Sequence, residues 1–547
     1  MSQVNAAGTG WQYADVWDLV AELRPGLDAV VHGDRRTSWA AFRDRAGRLA
    51  SSLVEGGAGQ GDRVAQYLYN SPEYLEVSYG AYQAALTPVN TNYRYRADEL
   101  AYLWDNADAV AVVFHGAFTD TIEAMRDRIP TVRRWLLVDD GSGPCPDWAE
   151  PYEAIVGTGP VGAYQPPWGR SGDDIVMIYT GGTTGMPKGV MWRHDDMYRS
   201  FNVAGDPDEC DLGAVRDRLS AAGESPVGIP GSPLMHATGY MFAKSMLVQG
   251  GTVVTLPDRH FDVQSLLATI EREGVTAVAI VGDAFARPIL EALDAAPGRW
   301  DLSSLQLLVS AGVMWSAETK AGLARHLPGT LFADLLGSTE ANGLGSSVSG
   351  AGSDPSTATF SLGGLAMVID EEDNVLGPGG AGLLAVGGPG PAGYHKDPAK
   401  TAATFRTVAG QRVSVPGDWA RVEDDGSITL LGRGSLCINT GGEKVFPEEV
   451  EEALETHPAV RDTTVVGVPD PALGEAVAAV VSLADGLAVT AEDLIAHVKR
   501  RIAGYKAPRH VLVVDDVGRA PNGKADYAGS RRLLLDHLSA PSPTPAP

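Results

Sequence analysis

The segment 179–190 combines residue types that bind phosphate, and it reads YTGGTTGMPKGV. Between Thr180 and Gly189 it holds four glycines, three threonines and one lysine. Glycines let backbone N–H groups turn inward as an anion nest, threonine hydroxyls donate to phosphate oxygens, and Lys188 adds a mobile positive charge. The Walker pattern GxxxxGK[ST] does not occur in the segment. Taken alone, it predicts either a phosphate-binding loop or a flexible surface turn rich in glycine and threonine.

Other single residues suit the same chemistry but allow a second interpretation. The carboxylate of Glu340, next to Thr339, is the kind of oxygen ligand that Mg²⁺ prefers, and a Thr-Glu pair is also typical of a helix start. The two oxygens of Asp418 can accept hydrogen bonds from both hydroxyls of a ribose, or lie on a solvated turn. Taken alone, His236 predicts a core histidine and Lys524 a solvated surface charge. The order of the segments that carry these residues decides between the interpretations.

A series of segments resembles, in order, the motifs of the adenylate-forming superfamily, which contains acyl-CoA synthetases, luciferases and peptide-synthetase adenylation domains. The phosphate segment resembles its YTSGTTGxPKG signature, with Gly181 in place of serine. The further matches are PLMHATG at 233–239 (PxxHxxG), DLLGSTE at 334–340 (GxTE), PGD at 416–418 (TGD), GRGSLCINTGGEKV at 432–445 (hinge and glycine loop) and APNGKADY at 520–527 (PxxxGK shortened by one residue). The resemblance extends from about residue 15 to 530.

The resemblance assigns ATP and coenzyme A contacts to a defined set of residues. Thr339 contacts the α-phosphate, Glu340 is the Mg²⁺ ligand, and Lys524 bridges the substrate carboxylate and the α-phosphate. Leu336 stands where relatives carry an aromatic residue beside adenine, and Ser435 stands at the hinge position where relatives carry Asp or Lys. The remaining cofactor-binding positions are Thr180, Gly181, Gly182, Thr183, Thr184, Gly185, Lys188, Ser310, Ala311, Gly312, Asp334, Leu335, Gly337, Ser338, Asp418, Arg433, Gly441, Gly442 and Lys506.

The acyl pocket is predicted around the PLMHATG segment and the turn that follows Ser310. By the resemblance, His236 lies beside the bound carboxylate and Tyr240 occupies the place of a bulky gate residue. Lining the pocket is favoured over general-base catalysis for His236, because a carboxylic acid is already ionised near pH 7. The predicted pocket residues are His236, Ala237, Gly239, Tyr240, Val313 and Met314.

The resemblance implies an ATP-dependent, AMP-forming acyl-CoA synthetase with two half-reactions. A carboxylic acid and MgATP give acyl-adenylate and pyrophosphate, and coenzyme A then takes the acyl group. The amino-acid sequences of the phosphate segment and of SAGVMWS at 310–316 resemble those of actinobacterial acyl-CoA synthetases that act on fatty acids or steroid side-chain acids. Two alternatives stay open, namely an acyl-AMP ligase that loads a carrier protein and a catalytically silent nucleotide-binding protein.

Composition excludes some classes of partner. With 43 Lys and Arg against 69 Asp and Glu, the formal charge is −26, which disfavours nucleic acid as a partner. No apolar run approaches the roughly 20 residues of a membrane span, and the amino terminus has no export signal, so we expect a cytoplasmic enzyme without integral membrane association. The three cysteines lack metal-ligand spacing. A homodimer is left open.

Strand and helix patterns alternate, which predicts an α/β fold with largely parallel sheets. We expect a large domain over 1–432 that includes a small antiparallel subdomain, a second domain over 433–535, which the resemblance implies is mobile, and a disordered Pro-rich tail over 536–547. The clearest predicted elements are strands at 63–68, 109–114, 175–180, 276–281 and 305–310, and a helix over 38–54 capped by Thr37 or Ser38. For 433–535, they are helices at 447–456 and 491–502 and strands at 463–468, 476–483 and 510–514. Residues 205–232 are predicted to be irregular, and 377–391 and 423–431 to form antiparallel strands.

Overall fold

The computed structural model describes residues 10–182, 185–201, 211–313, 315–353, 355–433, 436, 438–440, 443–470, 473–502, 504–520 and 523–539, without the side chains of 181, 182, 185, 433, 439, 443, 444 and 474. The contacts divide the chain into two compact units. The first comprises 1–357 and 386–414, and the second comprises 358–385 and 415–547. Antiparallel strands that precede the predicted boundary at 432–433 therefore group with the second unit.

The α-helices of the described residues alternate with strands along most of the chain. They are α1 (Tyr13–Leu23), α2 (Trp39–Glu55), α3 (Pro72–Gln83), α4 (Ala97–Asn106), α5 (Thr119–Glu123), α6 (Tyr152–Val156), α7 (His194–Phe201), α8 (Leu212–Ala221), α9 (Ala237–Val248), α10 (Val263–Glu273), α11 (Asp283–Ala295), α12 (Ala317–His326), α13 (Pro398–Thr404), α14 (Pro447–Glu455), α15 (Ala491–Lys499) and α16 (Tyr527–Ser539). None of these helices is long and apolar enough to cross a membrane.

The strands fall into long sheets in the first unit and smaller ones in the second. They are β1 (Asp28–His32), β2 (Arg35–Ser38), β3 (Arg63–Tyr67), β4 (Thr87–Asn90), β5 (Ala109–His115), β6 (Arg134–Val138), β7 (Glu150–Pro151), β8 (Ile175–Gly182), β9 (Gly185–Arg193), β10 (Val227–Pro230), β11 (Thr252–Thr255), β12 (Ala277–Ile280), β13 (Leu307–Ala311), β14 (Leu331–Leu336), β15 (Gly345–Ser349), β16 (Thr359–Leu362), β17 (Ala366–Ile369), β18 (Ala381–Val386), β19 (Gly393–Tyr394), β20 (Phe405–Val408), β21 (Gln411–Ser414), β22 (Asp418–Val422), β23 (Ile428–Arg433), β24 (Ile438–Thr440), β25 (Glu443–Val445), β26 (Val460–Asp470), β27 (Gly474–Leu483) and β28 (His510–Val514).

Two largely parallel sheets organise the first unit. One runs β2-β1-β11-β10-β12-β13-β14-β15. Its six central strands pair in parallel, whereas β2 runs antiparallel to β1 and β15 runs antiparallel to β14. The other runs β19-β9-β8-β4-β3-β5-β6-β7 and is parallel from β8 to β7. A core that includes Val64, Val176, Ala277 and Trp17 takes residues from both sheets and from α1, α2, α3 and α9. The helices between the sheets therefore form part of one shared core.

The second unit is built on antiparallel strands. Strands β16, β23, β22 and β18 lie side by side, and β17 pairs with β18. A separate sheet runs β25-β24-β27-β26, with β28 parallel to β27. Apolar residues of α14 and α15 pack with Val477 and Val481, whereas Leu534 of α16 packs with Val466 and Ala478. Helices thus cover both faces of this small sheet.

The α/β class with a smaller carboxyl-terminal domain is confirmed, and each predicted strand and helix overlaps an observed one. Ser38 is the N-cap of α2, because its side chain accepts a hydrogen bond from the N–H of Ala41 at 3.3 Å. The prediction that 205–232 is irregular is wrong in part, since α8 and β10 lie within it; the Gly and Pro residues on either side of α8 concealed it. Helix α16 continues to Ser539, so 536–539 are helical and only 540–547 of the predicted tail lie outside the described residues.

Candidate active site

Three of the predicted segments begin at the same edge of the first sheet. The parallel strands β10, β13 and β14 lead directly into PLMHATG, SAGV and LGSTE, respectively. Parallel strands place their carboxyl ends at one edge, which is where ligands bind in open α/β sheets. A Cβ added to Gly312 would lie 3.8 Å from Oγ1 of Thr238, so the SAGV turn faces the start of α9. The fold therefore brings the predicted pocket segment PLMHATG together with the SAGV segment, which begins 71 positions after it ends.

The phosphate segment is an antiparallel hairpin at the end of the second sheet. Strands β8 and β9 pair from Ile175 with Arg193 to Gly182 with Gly185, and Thr180 pairs with Lys188. Thr183 and Thr184, which follow Gly182 in sequence, lie outside the described residues. The half-exposed Lys188 Nζ donates to Oδ2 of Asp397 at 2.8 Å, and this bond is the main cause that lowers the pKa of Asp397. The hairpin is therefore described up to its tip, and its lysine is held by a carboxylate.

The hairpin is connected directly to the GSTE segment. Trp192 on β9 donates its indole N–H to the carbonyl of Thr339 at 2.9 Å. Strand β19 pairs with β9, and its Tyr394 donates its hydroxyl to Oε1 of Glu340 at 2.8 Å. Ser414 donates to the carbonyl of Glu340 at 2.6 Å. The predicted phosphate and Mg²⁺ residues thus belong to one hydrogen-bonded group.

Asn90, the last residue of β4, links the phosphate strand to the pocket segment. Its Oδ1 accepts from the N–H of Tyr179 at 2.7 Å, and its Nδ2 donates to the carbonyls of Tyr179 at 2.9 Å and Met235 at 2.7 Å. The side chain is buried, and main-chain groups satisfy both the oxygen and the nitrogen of its amide. The position of His236, the next residue after Met235, therefore depends on Asn90.

A small cavity lies beside these residues. It is lined by Gln66, Tyr74, Pro88, Asn90, Met177, Ile178, Leu234, Met235, His236 and Tyr240. Of the predicted pocket residues, His236 and Tyr240 line it, Ala237, Gly239 and Val313 do not, and Met314 lies outside the described residues. A Cβ on Gly239 would lie 2.7 Å from the carbonyl oxygens of Ser232 and Pro233, which explains the glycine of this segment.

The two predicted adenine-side residues Ser310 and Asp334 are buried and already bonded. Ser310 Oγ accepts from the N–H of Gly282 at 2.9 Å. Asp334 Oδ2 accepts from Nζ of the buried Lys320 at 3.0 Å. Burial raises the pKa of Asp334 to about 6, and the Lys320 ammonium partly opposes this rise. Both side chains hold the ends of β13 and β14 in place, whereas Ala311, Gly312, Leu335 and Leu336 are partly or fully exposed at the same edge.

The remaining residues of the GSTE segment form a tight turn. The N–H of Ser338 donates to the carbonyl of Ala341 at 2.7 Å, and the N–H of Glu340 donates to Oγ of Ser338 at 3.2 Å. A Cβ on Gly337 would lie 3.0 Å from the carbonyl oxygen of Ala341. The turn leaves Thr339 and Glu340 partly exposed.

The second unit carries the other predicted ligands. Asp418 begins β22 and is paired in register with Arg433, the last residue of β23, so the two predicted ribose and phosphate residues are neighbours on one ladder. The Arg433 side chain, Ser435, Gly441 and Gly442 lie outside the described part, and so the hinge and the glycine loop stay predictions. Lys506 forms an ion pair with Glu449, in the first turn of α14.

Lys524 is exposed on a loop that the second unit anchors firmly. The N–H of Ala520 donates to the carbonyl of Lys524 at 2.8 Å, and Nη1 of Arg519 donates to the carbonyl of Gly523 at 3.1 Å. Arg519 in turn donates to both carboxylate oxygens of Asp462, at 2.7 to 3.0 Å. The loop is therefore fixed at its base, and Lys524 itself is exposed.

The described residues fit one Mg²⁺ ion bound together with ATP. They contain no group of three or more His, Cys, Asp or Glu side chains that could hold a metal. Mg²⁺ is commonly bound by one or two carboxylates, with substrate phosphates and water completing its shell. Glu340 supplies such a carboxylate, with Tyr394 fixing one of its oxygens.

Sequence reasoning missed Asn90, Trp192, Tyr394 and Asp397. Asn90 ends a short strand, and nothing in its surroundings distinguishes it from a polar residue at a turn. Asp397 precedes a proline, and this pair is typical of a helix start, as found at the N-cap of α13. The pattern does not indicate that Asp397 also binds Lys188. Tyr394 follows the Gly- and Pro-rich segment 377–391, and its partner is 54 residues away.

Comparison with known proteins gives consistent matches over both units. Residues 17–394 match the model of the AMP-binding enzyme family, and 449–524 match that of the AMP-binding enzyme C-terminal domain. A "Medium/long-chain-fatty-acid--CoA/3-oxocholest-4-en-26-oate--CoA ligase" of Mycobacterium marinum is 39% identical over 530 residues, covering 94% of this chain and 95% of that protein. A "3-oxocholest-4-en-26-oate--CoA ligase" of Rhodococcus rhodochrous is 39% identical over 535 residues, covering 94% of each.

A solved structure agrees with the sequence matches. The crystal structure of ATP-bound MatB from Rhodopseudomonas palustris covers 96% of this chain and 100% of its own, with a TM-score of 0.79 and 26% identity. Together with the motif order and the hydrogen-bonded group around Glu340, these matches show that the chain belongs to the AMP-binding enzyme family, the adenylate-forming superfamily that the sequence resembles.

Proposed function

We propose that this chain is an ATP-dependent, AMP-forming acyl-CoA synthetase that activates a hydrophobic carboxylic acid. The observation that carries the proposal is the set of bonds that joins the phosphate hairpin, through Trp192 and Tyr394, to Thr339 and Glu340. Such a group holds phosphate-binding and carboxylate side chains in one fixed arrangement. Positioning and electrostatic stabilisation of this kind are what attack at phosphorus requires.

In the first half-reaction, a carboxylate oxygen of the acid attacks the α-phosphorus of ATP, and the bond to the pyrophosphate oxygen breaks. Lys188 leaves Asp397 to bind phosphate oxygens, and Thr339 positions the α-phosphate. Glu340 would hold Mg²⁺, which supplies positive charge to the phosphate oxygens when bound. His236 borders the cavity that receives the acid. Lys524 adds a positive charge where negative charge develops.

In the second half-reaction, the sulfur of coenzyme A attacks the acyl carbon and AMP leaves. We assign the glycine pair at 441–442 to the approach of the thiol-bearing arm, and Ser435 to the hinge that changes between the two half-reactions. The relatives named above are both coenzyme A ligases, which supports free coenzyme A as the acceptor. If the acyl group were transferred to a carrier protein instead, the assignment of free coenzyme A as the acceptor would be wrong.

The substrate class is a fatty acid of medium or long chain or a steroid side-chain acid. The names of the relatives support this class, and so does the apolar lining of the cavity by Pro88, Met177, Ile178 and Leu234. Tyr240, which occupies the predicted gate position, is one of the residues that line the cavity. The cytoplasmic location and the oligomeric state stay predictions.

The proposal is tested by exchange of labelled pyrophosphate into ATP in the presence of single acids, followed by AMP release with coenzyme A. We expect acid-dependent exchange, and a thioester product by mass spectrometry when coenzyme A is added. Exchange without a thioester would indicate a carrier-protein acceptor. Absence of exchange with every acid of the panel, in a folded preparation that binds ATP, would contradict the proposed activity.

A further inference from the structure

Lys244 is a buried lysine that the proposed chemistry does not use. It lies on α9, is 1% exposed, and donates from Nζ to the hydroxyl of Tyr82 at 3.2 Å and to Sδ of Met197 at 3.1 Å. Its Nζ also lies 3.4 Å from the ring centroid of Tyr13. Among the described residues, no carboxylate lies within ion-pair distance of it. Burial without a countercharge is costly, and it lowers the pKa of Lys244 well below its usual value.

His194 is a second buried donor, and like Lys244 it lies against the rings of Tyr13 and Tyr82. Its Nδ1 accepts from the N–H of Tyr13 at 3.3 Å, so the proton of the neutral ring is on Nε2. Nε2 is buried and has no hydrogen-bond partner within the part of the chain that the structure describes. The ring contacts Tyr82 edge to face, with 4.5 Å between centroids. A buried donor without a partner is destabilising, so Nε2 calls for an acceptor that the described residues do not supply.

Tyr240 separates these donors from the cavity. It lines the cavity, and its hydroxyl lies 2.5 Å from the hydroxyl of Tyr82, which also binds Lys244. Lys244 Nζ lies 5.2 Å from the centroid of the Tyr240 ring, as expected for residues four apart on one helix face. His236 precedes Lys244 by eight residues, or about 12 Å along the helix axis. Lys244 therefore lies about two helical turns beyond His236, next to the cavity residue Tyr240.

We propose that Lys244 and His194 form a distal subsite that binds a neutral oxygen, a ketone or hydroxyl, on the far end of the acyl group, with Tyr240 moving aside when such an acid binds. This inference rests on the proposed function and narrows its substrate class. A neutral oxygen suits the subsite because both groups lie against the rings of Tyr13 and Tyr82 and because burial already disfavours the charged form of Lys244. An acid with a plain alkyl end would leave Nε2 of His194 unpaired and Nζ of Lys244 bonded to the weak acceptor Sδ of Met197. A site built to bond an oxygen discriminates against such analogues.

The test compares acids in matched pairs. For each of several chain lengths, kcat/KM for AMP release is measured with the straight-chain acid and with the terminal methyl-ketone acid of the same length, and likewise for a steroid acid with and without its ring ketone. We expect the oxygen-bearing member of a pair to be preferred about 10- to 100-fold, the range for a buried donor left unpaired. Lys244→Met should remove this preference while plain acids keep or increase their rates.

Met246→Leu is the matched control, because it changes a buried residue of the same helix without removing a donor. It should leave the preference unchanged. Equal rates for both members of every pair in the wild type would overturn the inference, as would a Lys244→Met enzyme with an unaltered preference. If Lys244→Met does not fold, the wild-type comparison alone decides. Failure of the proposed function is distinguishable, because no acid would then support pyrophosphate exchange.

Discussion

Tyr394 donates its hydroxyl to Oε1 of Glu340 at 2.8 Å. Tyr394 lies on β19, which pairs with the phosphate hairpin, so one hydrogen bond connects the carboxylate proposed for Mg²⁺ to the strand that carries Lys188. The bond occupies one lone pair of Oε1 and fixes the carboxylate plane. Side chains that orient a metal ligand in this way affect metal affinity even though they do not touch the metal.

Replacing Tyr394 by phenylalanine should weaken the use of Mg²⁺. Loss of one hydrogen bond to a carboxylate corresponds to about 1.5–3 kcal/mol, so we expect the Mg²⁺ concentration for half-maximal exchange to rise about 10- to 100-fold. Pyrophosphate exchange measured over a Mg²⁺ titration checks this. Tyr164→Phe, on a partly exposed tyrosine of the same unit, is the control. A lower maximal rate at an unchanged Mg²⁺ midpoint would show that Tyr394 supports the fold and not the ligand.

Asp397→Asn should strengthen ATP binding. In the described structure the carboxylate of Asp397 holds Lys188, and ATP must displace it. Asparagine keeps the N-cap of α13, where Asp397 accepts from the N–H of Lys400 at 2.9 Å, and removes only the charge. Because exposed ion pairs are weak, we expect the KM for ATP to fall about two- to fivefold. Lys188→Met should raise the same KM, and an Asp397→Asn enzyme with a raised KM would contradict the competition.

Asn90→Ala should disturb both stability and acid binding. The change leaves the N–H and carbonyl of Tyr179 and the carbonyl of Met235 without their present partner. For buried polar groups this costs about 2–4 kcal/mol in total. We expect a lower unfolding midpoint and a raised KM for the acid, with a smaller change in the KM for ATP. Asn92→Ala, which removes one exposed bond to the N–H of Arg94, is the control.

Local patterns were sufficient to predict the fold class and most of the predicted elements, but not the bonds that complete the site. Period-two and helical spacing indicated the strands from 63 to 310 and α2, because those signals lie within the element itself. The Tyr394–Glu340, Trp192–Thr339 and Asn90–Met235 contacts join residues 54, 147 and 145 positions apart. No local spacing encodes such pairs, and motif resemblance names the ligands but not the residues that hold them.

Lys524→Ala should separate the two half-reactions. Loss of a preorganised positive charge costs about 3–4 kcal/mol of transition-state stabilisation, so adenylation should slow by about 10²- to 10³-fold. Thioester formation from supplied acyl-adenylate should persist. Lys499→Ala, an exposed lysine of the same unit, is the control. Equal loss of both half-reactions would contradict the separate role assigned to Lys524.

Asp334 should make the stability of the first unit depend on pH. Burial raises its pKa from the ordinary 3.8 to about 6, and Lys320 partly opposes the rise. Because the folded state holds the proton more tightly than the unfolded state, the stabilisation from this group is fully present below about pH 4 and is lost as the pH rises through about 6. Asparagine does not titrate. From pH 4 to 7, the free energy of unfolding of the wild type should therefore fall relative to Asp334→Asn by up to about 3 kcal/mol.

Denaturant unfolding of both proteins across this pH range measures the difference, and the comparison cancels every other titrating group that the two share. Lys320→Met is the complementary variant, because loss of the opposing ammonium should raise the pKa of Asp334 further and move the transition above pH 6. A difference that stays constant from pH 4 to 7 would show that Lys320 keeps the Asp334 carboxylate ionised throughout. The pair would then act as a fixed ion pair at the end of β14, and the pH dependence of the enzyme would have to arise elsewhere.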